Sequence, residues 1–244
     1  MLKKIVLVLL VIVSVTACQE EVATSPKPAM VLFAEQEINV DPYQTRIIVN
    51  EDYMRMDEGN DTNDFVLLDR KAGTIYSVNS ENKTVMSVTT REVDIEPPMQ
   101  LSYSEDKVKS MQNAPAIDGK TPEHYAFSVN GKVCYEAILV KDMLPDMVKA
   151  MQDFSLILAG DSAVTFNAIP ADMHNACDMA GSTFAPSRHL RFGFPVQEWK
   201  EGYSRTLMEY DQDYSIDPAL FELPGDYFQF SVQDYREGKV QLPE

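Results

Sequence analysis

RIIVN (46–50), YMRM (53–56), FVLLD (65–69), TIYSV (74–78) and TVMSV (84–88) are short runs rich in β-branched, aromatic and other apolar residues, all within residues 46–88. Asn50-Glu51-Asp52, Glu58-Gly59-Asn60-Asp61, Lys71-Ala72-Gly73 and Asn79-Ser80-Glu81-Asn82 stand between them, and each separator is made of turn-forming residues. Connections this short leave room only for antiparallel neighbours, because a parallel partner needs a crossover of about a dozen residues. The stretch therefore predicts a meandering antiparallel sheet.

Side chains alternate between the faces of a strand, so the apolar positions can be sorted by face. Ile47 and Val49, Met54 and Met56, Tyr76 and Val78, and Met86 and Val88 are assigned to one apolar face, with Arg46, Arg55, Asp57 and Thr89 opposite. The chain holds 13 methionines, whose flexible thioethers adapt to irregular apolar partners. Packing against a helix is the simpler role for any single one of them.

A hairpin is expected at Tyr125 to Val129 and Val133 to Val140, turning at Asn130-Gly131. Asp142 and Pro145 then serve as cap and first-turn residues of a helix with an apolar stripe of Leu144, Met147, Val148, Met151, Phe154 and Leu158, stopping at Gly160. That stripe and the apolar sheet face cover one another most simply if the helix lies across the sheet. Residues 161–188 read as a helix-and-loop segment, followed by strands at Leu190 to Phe194, Tyr203 to Asp211 and Phe228 to Gln233.

At the amino terminus, MLKKIVLVLLVIVSVTAC (1–18) places two lysines before an apolar run too short for a permanent span. The run exits through Val15-Thr16-Ala17-Cys18, which resembles the bacterial lipobox. The resemblance implies a signal peptide at 1–17 and a mature chain beginning at a lipid-bearing Cys18, held firmly by several acyl chains. In enteric-type bacteria an aspartate after that cysteine retains a lipoprotein at the inner membrane, and Gln19 stands there instead. The expected location is the outer membrane, facing the periplasm. Residues 18–28 have a linker's composition.

The chain has 21 basic and 38 acidic residues, net −17, and loss of Lys3 and Lys4 with the signal takes this to −19. A field of that sign repels phosphate backbones and anionic bilayers, which argues against nucleic-acid binding and leaves the lipid as the membrane contact. Composition is otherwise globular, with 45% hydrophobic and 24% charged residues.

Cys134 and Cys177 remain once Cys18 is assigned to lipid. In an oxidising compartment an even pair reads first as a disulfide, closing about forty residues for on the order of 3 to 4 kcal/mol. Two free thiols, or a metal site completed by His124 and His174, are the alternatives, although the spacings lack a compact zinc pattern. The run from Asp57 to Asp64 could hold Ca²⁺ weakly but lacks an EF-hand's final glutamate, and a solvated hairpin tip is the simpler role. No metal and no cofactor is expected. His124, His174 and His189 are the available bases, and Ser110, Ser182 and Ser187 lack a G-x-S-x-G context, so the chain is not expected to be an enzyme.

The run ending in Thr74-Ile75-Tyr76-Ser77-Val78 and followed by Lys83-Thr84-Val85, the Gly193-Phe194-Pro195 turn, and the closing FELPGDY (221–227) resemble the superfamily of LolA/LolB-like lipoprotein carriers over roughly residues 29–233. The nearest likeness within it is to uncharacterised bacterial lipoproteins. The resemblance implies an α+β fold in one domain, 29–244, with a curved antiparallel sheet left open as a half-barrel around one or two helices and an apolar cavity inside. The carriers have no cysteine pair matching Cys134 and Cys177, and no cavity arginine or protruding apolar loop residue could be matched, so carrier activity itself is not implied.

Candidate lining residues for that cavity are Ile47, Val49, Met54, Met56, Tyr76, Val78, Met86, Val88, Met147 and Met151. The expected function is binding of a hydrophobic ligand, a lipid or acyl chain, in envelope maintenance or lipid handling. The alternative is a protein-interaction or envelope-stress sensor module with a filled core. Which protein partner such a module takes is not written in the sequence.

Overall fold

The computed structural model describes residues 27–59, 63–108, 114–166, 168–170 and 173–241. The signal-like segment, Cys18 and most of the linker lie outside the described residues, as do Asn60, Asp61, Thr62 and Ser110.

Twelve strands form one sheet in the order β12-β6-β5-β4-β3-β2-β1-β11-β10-β9-β8-β7. The first meander comprises β1 (Ala29–Glu37), β2 (Tyr43–Val49), β3 (Tyr53–Asp57), β4 (Phe65–Asp69), β5 (Thr74–Asn79) and β6 (Thr84–Thr89). The second comprises β7 (Tyr103–Lys107), β8 (Glu123–Val129), β9 (Lys132–Val140), β10 (Phe194–Lys200) and β11 (Tyr203–Asp211). Antiparallel pairing of β1 with β11 joins the two, and β12 (Phe228–Ser231) adds to β6 in parallel. No described strand pairs on the outer side of β7 or β12, so the sheet stays open. The protein is mostly β.

The helix-facing core can be followed residue by residue across the register. Ala29, Val49, Met54, Leu68, Ile75 and Val88 are successive cross-strand partners from β1 to β6, and all six are buried. α1 (Pro145–Phe166) lies over them, burying Met147, Ala150, Met151 and Ile157 in the same cluster. Pro145 opens α1 as expected, whereas Asp142 occupies a left-handed turn position at φ 58°.

Gly160 does not end the helix. A Cβ there would lie 2.2 Å from the Arg91 carbonyl oxygen, so the glycine lets α1 pass against the chain leaving β6. The buried stripe also differs from the expected one: it continues through Ile157, while Leu158 faces solvent.

Tyr76 and Val78 are on the opposite face from Ile47 and Met54. Tyr76 pairs with Leu67 and Val78 with Phe65, and Tyr76 packs with Ile48, Leu67 and Phe221. The assignment failed because this face is apolar too. Residues 214–223, including a 3₁₀ turn at Pro218–Phe221, cover it as a strap, so alternation in β5 separates two buried faces rather than a wet one from a dry one.

The Asn130-Gly131 turn is a two-residue hairpin with φ 51° and 78°, as those residues favour. Two strand boundaries moved. Leu190 is in a 3₁₀ turn (Arg188–Phe192), and β10 starts only after Gly193, where a Cβ would meet the Val140 carbonyl oxygen at 2.5 Å. After Ser231 the expected strand becomes α3 (Val232–Arg236), whose first turn Ser231 caps by accepting from the Asp234 amide at 3.0 Å. α2 (Ala176–Met179) runs into a wide turn at Ala180–Phe184 within the segment read as helix and loop.

Candidate ligand-binding cavity

A cavity of about 580 Å³ lies between α1, the helix-facing side of β2, β3, β10 and β11, and the segment 173–192. Its apolar wall is Ile47, Met54, Met56, Met151, Phe154 and Leu190. Its polar end is Tyr135, His189, Glu198, Trp199, Lys200, Tyr203 and Arg205. The strands set both walls: Ile47 and Met56 are cross-strand partners, and Glu198 and Arg205 are partners three strands away.

The segment 173–192 is fixed over the cavity at two points. Cys177 in α2 is bonded to Cys134 in β9, Sγ to Sγ 2.05 Å, and both half-cystines line the cavity. Farther along, Arg188 donates from Nη1 to the Ser128 carbonyl oxygen at 3.0 Å, its guanidinium 5.1 to 5.5 Å from the rings of Tyr103, Phe127 and Tyr135. With both sulfurs in the disulfide, neither thiol is left for the alternative metal set. His124 Nε2 is 2.7 Å from Glu136 Oε2, and His174 Nε2 is 3.0 Å from the Ile169 carbonyl oxygen.

Charge at the polar end is buried. Arg205 donates from Nε and Nη2 to Glu198 Oε2, and its guanidinium sits 4.7 Å from the Phe33 ring centroid. Burial would raise the Glu198 carboxyl, but the neighbouring Arg205 and His189 outweigh it and hold the group down at about 2. His189 Nε2 lies 3.0 Å from Glu198 Oε1, and its Nδ1 is 3.3 Å from the Tyr135 hydroxyl. Tyr203 donates to Glu35 Oε2 at 2.7 Å; burial and that carboxylate push its phenol up, so it stays a neutral donor despite the opposing pull of Arg205.

Of the expected lining residues, Ile47, Met54, Met56 and Met151 border the cavity. Val49, Val88 and Met147 are in the packed core beside it. Met86 is half-buried in the row of Ile47 and Met56 without lining the cavity, and Tyr76 and Val78 are beneath the strap face. Sequence reasoning missed the polar end altogether. The available signal was three charged residues, Glu35, Glu198 and Arg205, placed inside otherwise strand-like runs. The calcium-site alternative has little left to work with: Asp57 is engaged by Arg46 and Arg55, and Asp64 Oδ1 accepts from the Ser80 amide at 2.6 Å.

No protein-family model matches this chain, and no curated protein matches it. Among solved structures it is similar to an uncharacterised conserved protein from Thermus thermophilus, with TM-score 0.42 and 8% identity over 84% of this chain and 91% of that one. It is also similar to PNGF-II, with TM-score 0.41 and 9% identity over 87% of this chain, which spans only 33% of PNGF-II.

Proposed function

We propose that this chain is a lipoprotein anchored through Cys18 in the outer membrane, facing the periplasm, and that it binds a hydrophobic ligand, a lipid or acyl chain, without catalysing a reaction. In this reading the open sheet is a half-barrel of the LolA/LolB-like kind wrapped around α1, and the role is envelope maintenance or lipid handling. The observation that carries the reading is the cavity of about 580 Å³ with one continuous apolar wall. Its volume suits one small amphiphile rather than a multiply acylated partner. Each methylene moved from water into it gains about 0.8 kcal/mol.

Two further features support the reading. The Cys134–Cys177 bond fits an oxidising compartment such as the periplasm. Both serines at the cavity, Ser155 and Ser182, donate back to carbonyl oxygens of their own segment, Met151 at 2.8 Å and Asp178 at 2.7 Å, rather than to a base.

The test is Met56→Asp, with uptake of an acyl-chain dye as readout. A carboxylate in the apolar wall costs several kcal/mol or forces its own protonation, so uptake should fall at least about tenfold with the fold retained. Undiminished uptake by the folded variant would remove the binding reading and favour an interaction module. Met56→Gln, a milder change, gives the same decision if the aspartate variant does not fold.

A further inference from the structure

The register brings one line of residues together on the cavity face. Tyr43, Glu35, Arg205, Glu198 and Ala137 are successive cross-strand partners on β2, β1, β11, β10 and β9. One cation thus stands between two carboxylates, and Glu35 and Glu198 are both buried. Arg205 gives its Nε and Nη2 to Glu198. Glu35 is met instead by an uncharged donor, the hydroxyl of Tyr203 at 2.7 Å, while the Tyr43 hydroxyl 3.3 Å away gives its proton to Glu37 at 2.6 Å. Counted with His189 neutral, the buried line carries one formal negative charge in excess.

At the mouth, the exposed side chains of Asp178 and Lys200 cancel each other in formal charge. His189 Nε2 lies 3.0 Å from Glu198 Oε1 at the same end, out of line for a well-formed hydrogen bond. Tyr203 supplies aromatic surface at the same end. The field of a chain with 38 acidic and 21 basic residues also favours a cation on approach.

We infer that the ligand of this cavity is a cationic amphiphile, an apolar tail ending in a primary amine or ammonium, and that free carboxylic acids are disfavoured. The tail lies along Ile47, Met54, Met56 and Met151. The ammonium supplies the missing positive charge to the Glu35–Arg205–Glu198 line, meeting it at the cavity-lining Glu198. A carboxylate in the same place would face the Glu198 carboxylate, with Glu35 one strand farther along the line and the one arginine already engaged. This inference rests on the cavity being a ligand site, as proposed above.

The experiment is calorimetric titration of the purified full chain with decylamine, decanol and decanoate, which share a tail and differ in head. Decylamine should bind at least about tenfold tighter than decanoate, or about 1.4 kcal/mol, with decanol between them. Glu35→Gln removes the excess charge and keeps the Arg205–Glu198 pair, so the advantage of the amine over decanol should shrink several-fold. Glu198→Gln frees Arg205, and the order should invert in favour of decanoate. If decanol binds but decanoate equals or exceeds decylamine in the unmodified protein, the head-group inference falls and the cavity reading stands. If none of the three binds, both fall. Should Glu198→Gln not fold, an unchanged amine advantage in Glu35→Gln overturns the inference on its own.

Discussion

The two faces of the sheet each bury an arginine–carboxylate cluster, and the two are completed differently. On the strap face, Asp57 is shared by two guanidiniums: Arg46 reaches Oδ1 and Oδ2 at 2.8 and 2.9 Å, and Arg55 reaches Oδ2 at 2.6 Å. The strap adds a backbone acceptor to this cluster, because Arg55 Nη1 donates to the Leu220 carbonyl oxygen at 2.7 Å. On the helix face the cluster is Glu35, Arg205 and Glu198, and the cover over it is α1 with the disulfide-tied segment. An α-helix spends its interior N–H and C=O groups on itself, so it has none to lend to a charged neighbour. An irregular strap can lend a carbonyl to a charged cluster, as Leu220 lends one to Arg55.

The strongest way to break this contrast is Asp57→Ala. Removing the carboxylate that Arg46 and Arg55 share should cost about 3 to 5 kcal/mol, read as a fall in the urea midpoint at unchanged m-value. Loss below about 1 kcal/mol would mean that the strap, not Asp57, balances the arginines.

The same prediction has a pH signature. Burial would raise the Asp57 carboxyl, but hydrogen bonds from Arg46 and Arg55 win and hold it below its ordinary 3.8. Glu198 is likewise lowered, from 4.5 to about 2. A carboxyl with a depressed folded value contributes stability that is complete above its unfolded value and is lost as pH falls through the folded one. Stability should therefore decline between about pH 4.5 and 2, and Asp57→Ala should flatten the lower part of that decline.

Removing the disulfide, by Cys134→Ser with Cys177→Ser, comes next. The bond closes a separation of 43 residues, for which the chain-entropy estimate is about 3 to 4 kcal/mol. Hydrogen exchange should quicken in 173–192, the cover of the cavity, and stay as it was in 214–223. Equal loosening of both segments would show the two covers to be coupled and would undo the comparison between faces.

How much of this could be read beforehand depended on whether a residue's role was local. The strands from Arg46 to Val88, the Asn130-Gly131 turn, Pro145 at the head of α1 and the pairing of Cys134 with Cys177 all follow from short-range chemistry or from the number of cysteines, and each is present. β1 was missed, although it is the strand that joins the two meanders through β11. Its role depends on a partner about 170 residues away, which no local pattern announces. Tyr76 and Val78 were put on the wrong face because both faces of β5 are covered. The line of Glu35, Arg205 and Glu198 was not assembled, because only the register of β1 against the distant β10–β11 hairpin makes the three neighbours.

The smallest expected effect comes from α1. Leu158 belongs to the apolar stripe by spacing from Met147, Met151 and Phe154, yet it is 39% exposed while its neighbour Ile157 is 4% exposed. Leu156 is more open still, at 55%. The helix is thus covered by the sheet on one side only, whereas the strap face is buried beneath its own segment. Leu158→Gln should change unfolding free energy by no more than about 0.5 kcal/mol, since glutamine keeps good helix propensity and an exposed site has little packing to lose. A loss above about 1 kcal/mol in urea unfolding would mean that something covers the outer side of α1 in solution. In that case the difference between the two faces lies in what covers each helix or strap from outside, and not in the backbone chemistry of the cover itself.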